Sequence, residues 1–138
     1  MATAKQEPQG YNTLQPYLHI RNCGAAMEFY KNVFGATERM RMTRADGRVM
    51  HGEIQLGDTC VMMADEHPEI GAYAPEHFGG APMTLHLYVA DCDATYQKAL
   101  AAGAKSHREP ADQDYGDRNG AILDPFGFIW WLATPKKA

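Results

Sequence analysis

The chain has 138 residues, a net charge of −4 and a pI near 5.8, and this length suits one compact domain. Lysines and arginines are scattered and outnumbered by acids, which argues against a nucleic-acid or anionic-membrane partner. No apolar run is long enough to span a bilayer, and the polar start around Lys5–Gly10 lacks the apolar stretch of a signal peptide, so the expected location is cytoplasmic.

Residues 1–11 read as a loose tail. Residues 14–21 alternate, with Leu14, Pro16, Leu18 and Ile20 on one side and Gln15, Tyr17 and His19 on the other, which predicts a half-buried strand. From Ala25 to Phe34, residues Ala26, Phe29, Tyr30 and Val33 fall at helical spacing, and Gly35 suits the cap that ends a helix. Thr37–Thr43 reads as a second strand. Val49–Leu56 alternates Met50, Ile54 and Leu56 against His51, Glu53 and Gln55, and a turn at Gly57-Asp58 leads into a strand over 59–64.

Residues 65–82, with prolines at 68, 75 and 82, read as a linker. The pattern then starts again. Leu18-His19-Ile20-Arg21-Asn22-Cys23-Gly24-Ala25 is echoed by Leu87-Tyr88-Val89-Ala90-Asp91-Cys92-Asp93-Ala94. Met83–Ala90 is a strand that sets Leu85, Leu87 and Val89 against Thr84, His86 and Tyr88. Asp91 or Asp93 caps a helix ending near Ala101. A short strand over Ala104–His107 follows, then a hairpin of Arg118–Leu123 and Phe128–Thr134 around the turn Asp124-Pro125-Phe126-Gly127. The expectation is an α+β fold of two βαβββ modules, 14–64 and 83–134.

Cys23, Cys60 and Cys92 are odd in number and form no C-x-x-C pair, which fits a reducing compartment. Cys23 and Cys92 each sit near a helix start, where a thiol can become reactive. Packing at a strand-to-helix corner is the plainer reading, and it is the one expected here.

Tyr17-Leu18 followed by Ala26-Met27-Glu28-Phe29-Tyr30-Lys31-Asn32-Val33-Phe34-Gly35-Ala36 resembles the opening of the glyoxalase/bleomycin-resistance/extradiol-dioxygenase (vicinal oxygen chelate) superfamily, and its PhnB-like branch most closely. Met50-His51-Gly52-Glu53-Ile54, Leu85-His86-Leu87-Tyr88-Val89, Gly116-Asp117-Arg118 and Asp124-Pro125-Phe126-Gly127 carry the resemblance through 14–134. It implies a cavity between paired sheets and, usually, a dimer. It identifies a scaffold and not a reaction.

In metal-dependent members of that superfamily, four His, Gln or Glu ligands come from the first and last strands of the modules. Placed by motif, those positions here are Gln15, Val61, Thr84 and Trp131. Gln15 can ligate through its carbonyl, Thr84 is a poor ligand, and Val61 and Trp131 cannot ligate at all. The standard metal site is therefore expected to be missing. His86, His51 and Glu53 form a second constellation. It suits metal-free acid–base catalysis, or an open site for a divalent metal at a shifted position, or polar lining of a cavity.

Trp131 is expected on the cavity side, where with Tyr17, Tyr88 and Met63 it can stack on a flat ligand, and Trp130 is expected to pack under a helix. Arg118 reads as an anion clamp or as the partner of Asp117 or Asp114. The leading expectation is a homodimer that binds a small organic molecule near Gln15, Tyr17, Tyr88, Arg118 and Trp131, with no assigned activity. Two alternatives stay open: a metal-dependent lyase, isomerase or dioxygenase using His51, Glu53 and His86, and a protein that sequesters an antibiotic.

Overall fold

A computed structural model describes residues 6–136. They form two compact units, one up to Ala72 and one from Tyr73 onward. In the first unit the order is β1 (Tyr17–Ile20), α1 (Cys23–Phe34), β2 (Thr37–Thr43), β3 (Val49–Leu56) and β4 (Thr59–Asp65), followed by one short 3-10 turn, Pro68–Ile70. The second unit has α2 (Pro75–Phe78), β5 (Thr84–Tyr88), α3 (Cys92–Ala101), β6 (Lys105–Asp112), β7 (Asp117–Leu123) and β8 (Ile129–Pro135). The sheets repeat one topology, β1-β4-β3-β2 and β5-β8-β7-β6, in which the first and last strands of each module run parallel. The α+β fold of two βαβββ modules is as expected.

Each sheet buries one face under its long helix. In the first unit Leu18, Ile20, Ile54 and Met63 meet Met27, Tyr30 and Val33, all essentially closed to solvent. In the second, Trp130, Ile122 and Leu132 lie with Tyr96 and Ala99 of α3. Cys23 and Cys92 are buried at the helix starts. Burial, reinforced by Asp65, pushes the Cys23 thiol up to about 12, and burial likewise raises Cys92. These are packed thiols and not poised nucleophiles.

The helix starts are tied down at equivalent places. The Asp65 carboxylate accepts from the backbone N–H of Cys23 (3.1 Å) and of Val49 (2.6 Å). Thr134 does the matching work for Cys92, whose N–H donates to its Oγ1 at 2.8 Å. Of the two acids considered for the α3 cap, Asp91 is the one that accepts, from Ala94 N at 3.1 Å.

Three expectations need correcting. The first strand begins at Tyr17 and not at 14. Pro16 has no N–H for the ladder, only a carbonyl that accepts from Met62 N, and Leu14 is left 83% exposed. In β3, Met50 is an extra residue: Met42 faces His51, but Thr43 faces Val49. The bulge turns Met50 outward and puts Val49 in the core. Finally, β6 runs to Asp112 despite Pro110, because it is an edge strand whose register shifts on both sides of Arg108.

Candidate functional site

Strand pairing decides which side chains share a face. Tyr17 stands opposite Met62, and Met62 opposite Glu53, so these three point away from α1 with His19 and His51. Val61 lies opposite Ile54 and is buried on the α1 side. In the second sheet His86 stands opposite Trp131 just as Tyr17 stands opposite Met62. The true counterpart of Trp131 is therefore Met62, one residue beyond the Val61 placed by motif. Met63 faces the helix with Leu18 and does not reach the open face.

On the first sheet, polar groups converge on Glu53, which is only 3% exposed. Its Oε2 lies 2.8 Å from His51 Nε2, and its Oε1 accepts from the Tyr11 hydroxyl at 2.6 Å. Cys60 Sγ approaches Oε1 at 3.7 Å and Arg39 Nε at 3.9 Å. The other ring nitrogen of His51, Nδ1, is 2.9 Å from the Tyr17 hydroxyl. An ionised carboxylate only accepts, so Nε2 carries the proton toward Glu53 and Nδ1 is left to accept from Tyr17. Burial alone would raise the Glu53 carboxyl. The hydrogen bonds from Tyr11 and His51, with the favourable electrostatics of the adjacent imidazole, outweigh that effect and hold it below the ordinary glutamate value. The Tyr11 phenol is raised, chiefly by its bond to Glu53, the Tyr17 phenol is raised by burial, and His19 is lowered by burial.

Tyr11 was hidden in the segment read as a loose tail. Among the described part of that segment, Gly10 O accepts from Arg39 at 2.8 Å, and the Arg39 guanidinium lies 4.2 Å over the Tyr11 ring. Residues 1–5 of the tail lie outside the described residues. Gln15 precedes β1, and its Oε1 is buried with no hydrogen-bond partner among the described residues.

On the second sheet, Thr84, His86 and Tyr88 share the open face with Trp131, while Trp130 is buried, its indole N–H donating to Asp124 Oδ2 at 2.9 Å. The assignment of the two tryptophans to opposite faces holds. The Trp131 ring is half-buried, with the His107 ring edge-on at 6.0 Å and the Arg108 guanidinium 5.9 Å from its centroid. The His86 ring packs 4.9 Å from Tyr88. Asn119 lies on the same face, two residues along from Ala121, which faces Trp131. It is buried, its amide donates to the Tyr115 hydroxyl at 2.6 Å, and its Oδ1 has no donor among the described residues.

Arg118 is not on this face and does not pair with Asp117 or Asp114. It grips Asp93 of α3 at 2.6 and 2.9 Å and Asp112 at 3.2 Å, a structural clamp of β7 to the helix. Sequence reasoning missed Arg108 and His107 because the bulge that turns both toward Trp131 leaves no mark in the alternation of β6.

The donor sets do not fit a metal. At the standard positions, Met62 offers a thioether and Trp131 offers nothing. At the shifted position, both ring nitrogens of His51 and both oxygens of Glu53 are engaged with each other or with the tyrosines. His86 has its ring neighbour, Tyr88, within its own module.

Comparison with known proteins agrees with the fold. Residues 15–132 match the family model of the glyoxalase/bleomycin resistance protein/dioxygenase superfamily. An uncharacterised protein of Mycobacterium bovis is 38% identical over 127 residues, which cover 90% of this chain and 84% of that one. A protein of Streptomyces peucetius named for anthracycline biosynthesis is 33% identical over 105 residues, 75% of this chain but only 34% of that protein. The solved structure of a PhnB protein from Bacillus cereus superposes with a TM-score of 0.68 at 18% identity, covering 89% of this chain and 99% of that one. The chain belongs to the glyoxalase/bleomycin resistance protein/dioxygenase superfamily.

Proposed function

We propose that this protein binds a small, flat organic molecule against the open face of its second sheet, without the divalent metal that superfamily members hold at the standard positions. The observation that carries the reading is Trp131. An indole that cannot ligate occupies the place of a metal ligand, half-exposed and beside His86. An aromatic ring there can stack on a planar ligand at ~1 kcal/mol beyond its area term. The Streptomyces relative, named for anthracycline biosynthesis, is consistent with a planar aromatic ligand. The reading includes a homodimer, and a cytoplasmic location in keeping with three free, buried cysteines.

Two measurements test it. Elemental analysis after dialysis is expected to find far less than one zinc, nickel, manganese or iron per chain. A bound aromatic compound is expected to change tryptophan emission, with Trp131→Phe removing most of the change. A stoichiometric metal, or an emission change that survives Trp131→Phe, counts against the proposal.

A second reading rests on the first sheet, where Tyr17, His51 and Glu53 are linked at 2.9 and 2.8 Å as a proton relay. With a partly exposed phenol at one end and a carboxylate at the other, it suits metal-free acid–base chemistry. Imidazole 15N chemical shifts are expected to place the His51 proton on Nε2, and Glu53→Gln is expected to change that tautomer balance. A proton resident on Nδ1 would break the relay.

A further inference from the structure

Arg108 differs from every other arginine in the chain. Arg21, Arg39, Arg41, Arg44, Arg48 and Arg118 each lie within 3.9 Å of a carboxylate. Among the described residues Arg108 has no carboxylate partner, and its guanidinium instead lies over one side of the Trp131 ring, 5.9 Å from the centroid. The chain aims it there: Arg108 stands opposite Ala121, and Ala121 opposite Trp131, beside the bulge in β6. His107 contacts the same indole from the same bulge, and His86 stands opposite it on the other side.

One guanidinium and two imidazoles therefore gather around one half-buried aromatic plane, in a protein whose net charge is −4. Asn119 adds a second anomaly on this face, a buried amide oxygen with no donor among the described residues. Exchanging its amide nitrogen and oxygen would match the Tyr115 hydroxyl but leave the nitrogen unmatched instead. A buried polar atom left unpaired is destabilising, and such costs persist mainly where a site needs them.

We infer that the second sheet is a binding site for planar aromatic anions, with the ring stacked on Trp131 and a carboxylate, sulfonate or similar acidic group held by Arg108. The inference rests on the Trp131 ligand reading above and adds the charge of the ligand. Guanidinium suits this task because its planar fork meets an acidic group with two parallel N–H donors and also lies flat against aromatic rings. A crevice for a cationic drug would place acids around the indole, where this chain places Arg108.

The test uses three probes of one shape: naphthalenesulfonate, neutral naphthol and naphthyltrimethylammonium. Binding is read by tryptophan emission and calorimetry on the full chain. Naphthalenesulfonate is expected to bind more tightly than either other probe, to weaken with added salt, and to lose about tenfold in affinity in Arg108→Gln. Arg108→Lys is expected to recover only part of that loss. The side chain is exposed, so an unchanged melting temperature checks that each variant is folded. Equal or tighter binding of the cation, or sulfonate binding indifferent to Arg108→Gln, overturns the charge assignment while leaving the Trp131 reading intact. If none of the three probes alters Trp131 emission, the Trp131 reading falls and this inference falls with it.

Discussion

Glu53 is the residue on which the first module's open face turns. It is buried, charged and bonded at both oxygens, so its pairing contributes to stability only while it is ionised. Its pKa in the fold lies below the ordinary value. The stabilisation is therefore fully present above about pH 4.3 and disappears as pH falls through the lowered folded value. Urea melts are expected to show the wild type weakening in acid and Glu53→Gln weakening less, with the variant ~1–3 kcal/mol less stable at pH 7. Parallel acid profiles would mean that the carboxyl is not ionised in the fold. On the second sheet, His86 is exposed and Leu132 is closed to solvent. His86→Ala should leave stability within ~1 kcal/mol while weakening ligand binding, whereas Leu132→Ala should cost ~2–5 kcal/mol by opening a cavity. Chemical denaturation of both variants checks this, and an unfolded His86→Ala would make that histidine structural. Period-two alternation made His86 and Trp131 legible, because a one-residue slip would have buried the imidazole and exposed Leu132. Glu53's partners were not legible, since Tyr11, Arg39 and Cys60 reach it from three separate segments.

At the level of elements, two glycines at matching places in the middle strands show how tightly each module is closed. A methyl at Gly52 would press on the tip of Met27, Sδ at 2.7 Å and Cε at 3.0 Å, with Val49 Cγ1 next at 3.4 Å, and a methionine end can swing aside. A methyl at Gly120 would meet backbone, Pro110 N at 2.9 Å and Arg108 O at 3.0 Å. Gly120→Ala must displace the β6 bulge itself. It is expected to cost ~2–3 kcal/mol and to weaken binding at Trp131 by moving Arg108, while Gly52→Ala costs about 1 kcal/mol and leaves that binding unchanged. Melting curves and the naphthalenesulfonate titration together check the pair, and equal losses at the two sites would show that β6 can yield. The turn Asp124-Pro125-Phe126-Gly127 was readable because its chemistry is local. Asp124 accepts from the N–H groups of Phe126 (2.8 Å) and Phe128 (3.0 Å) as well as from Trp130. The bulges at Met50 and Arg108 were not readable, because an inserted residue breaks the alternation that reveals a strand, and its position is set by the partner strand.

For the whole molecule, the unresolved demand is surface. Each module covers one sheet face with one helix and leaves the other face carrying large side chains. Tyr17 is 43% exposed, and Tyr88 is more exposed still. Tyr17 and Tyr88 come from β1 and β5, which are also the parallel edge strands of their sheets, so apolar surface and unpaired backbone coincide. Proteins seldom leave both together in water, and a second copy of the chain is the economical cover because any patch on one copy recurs on the other. The protein is expected to sediment as a homodimer, at twice the chain mass of 15.3 kDa, at micromolar concentration. Its melting temperature should rise with protein concentration, since association stabilises only the folded chain. A mass near 15 kDa with a concentration-independent melt would show that the exposed faces are tolerated by a monomer. Tyr17→Glu with Tyr88→Glu sharpens the test. Tyr17 is 43% and Tyr88 64% exposed in the single chain, so the double variant should fold yet sediment as a monomer if these faces meet a second copy.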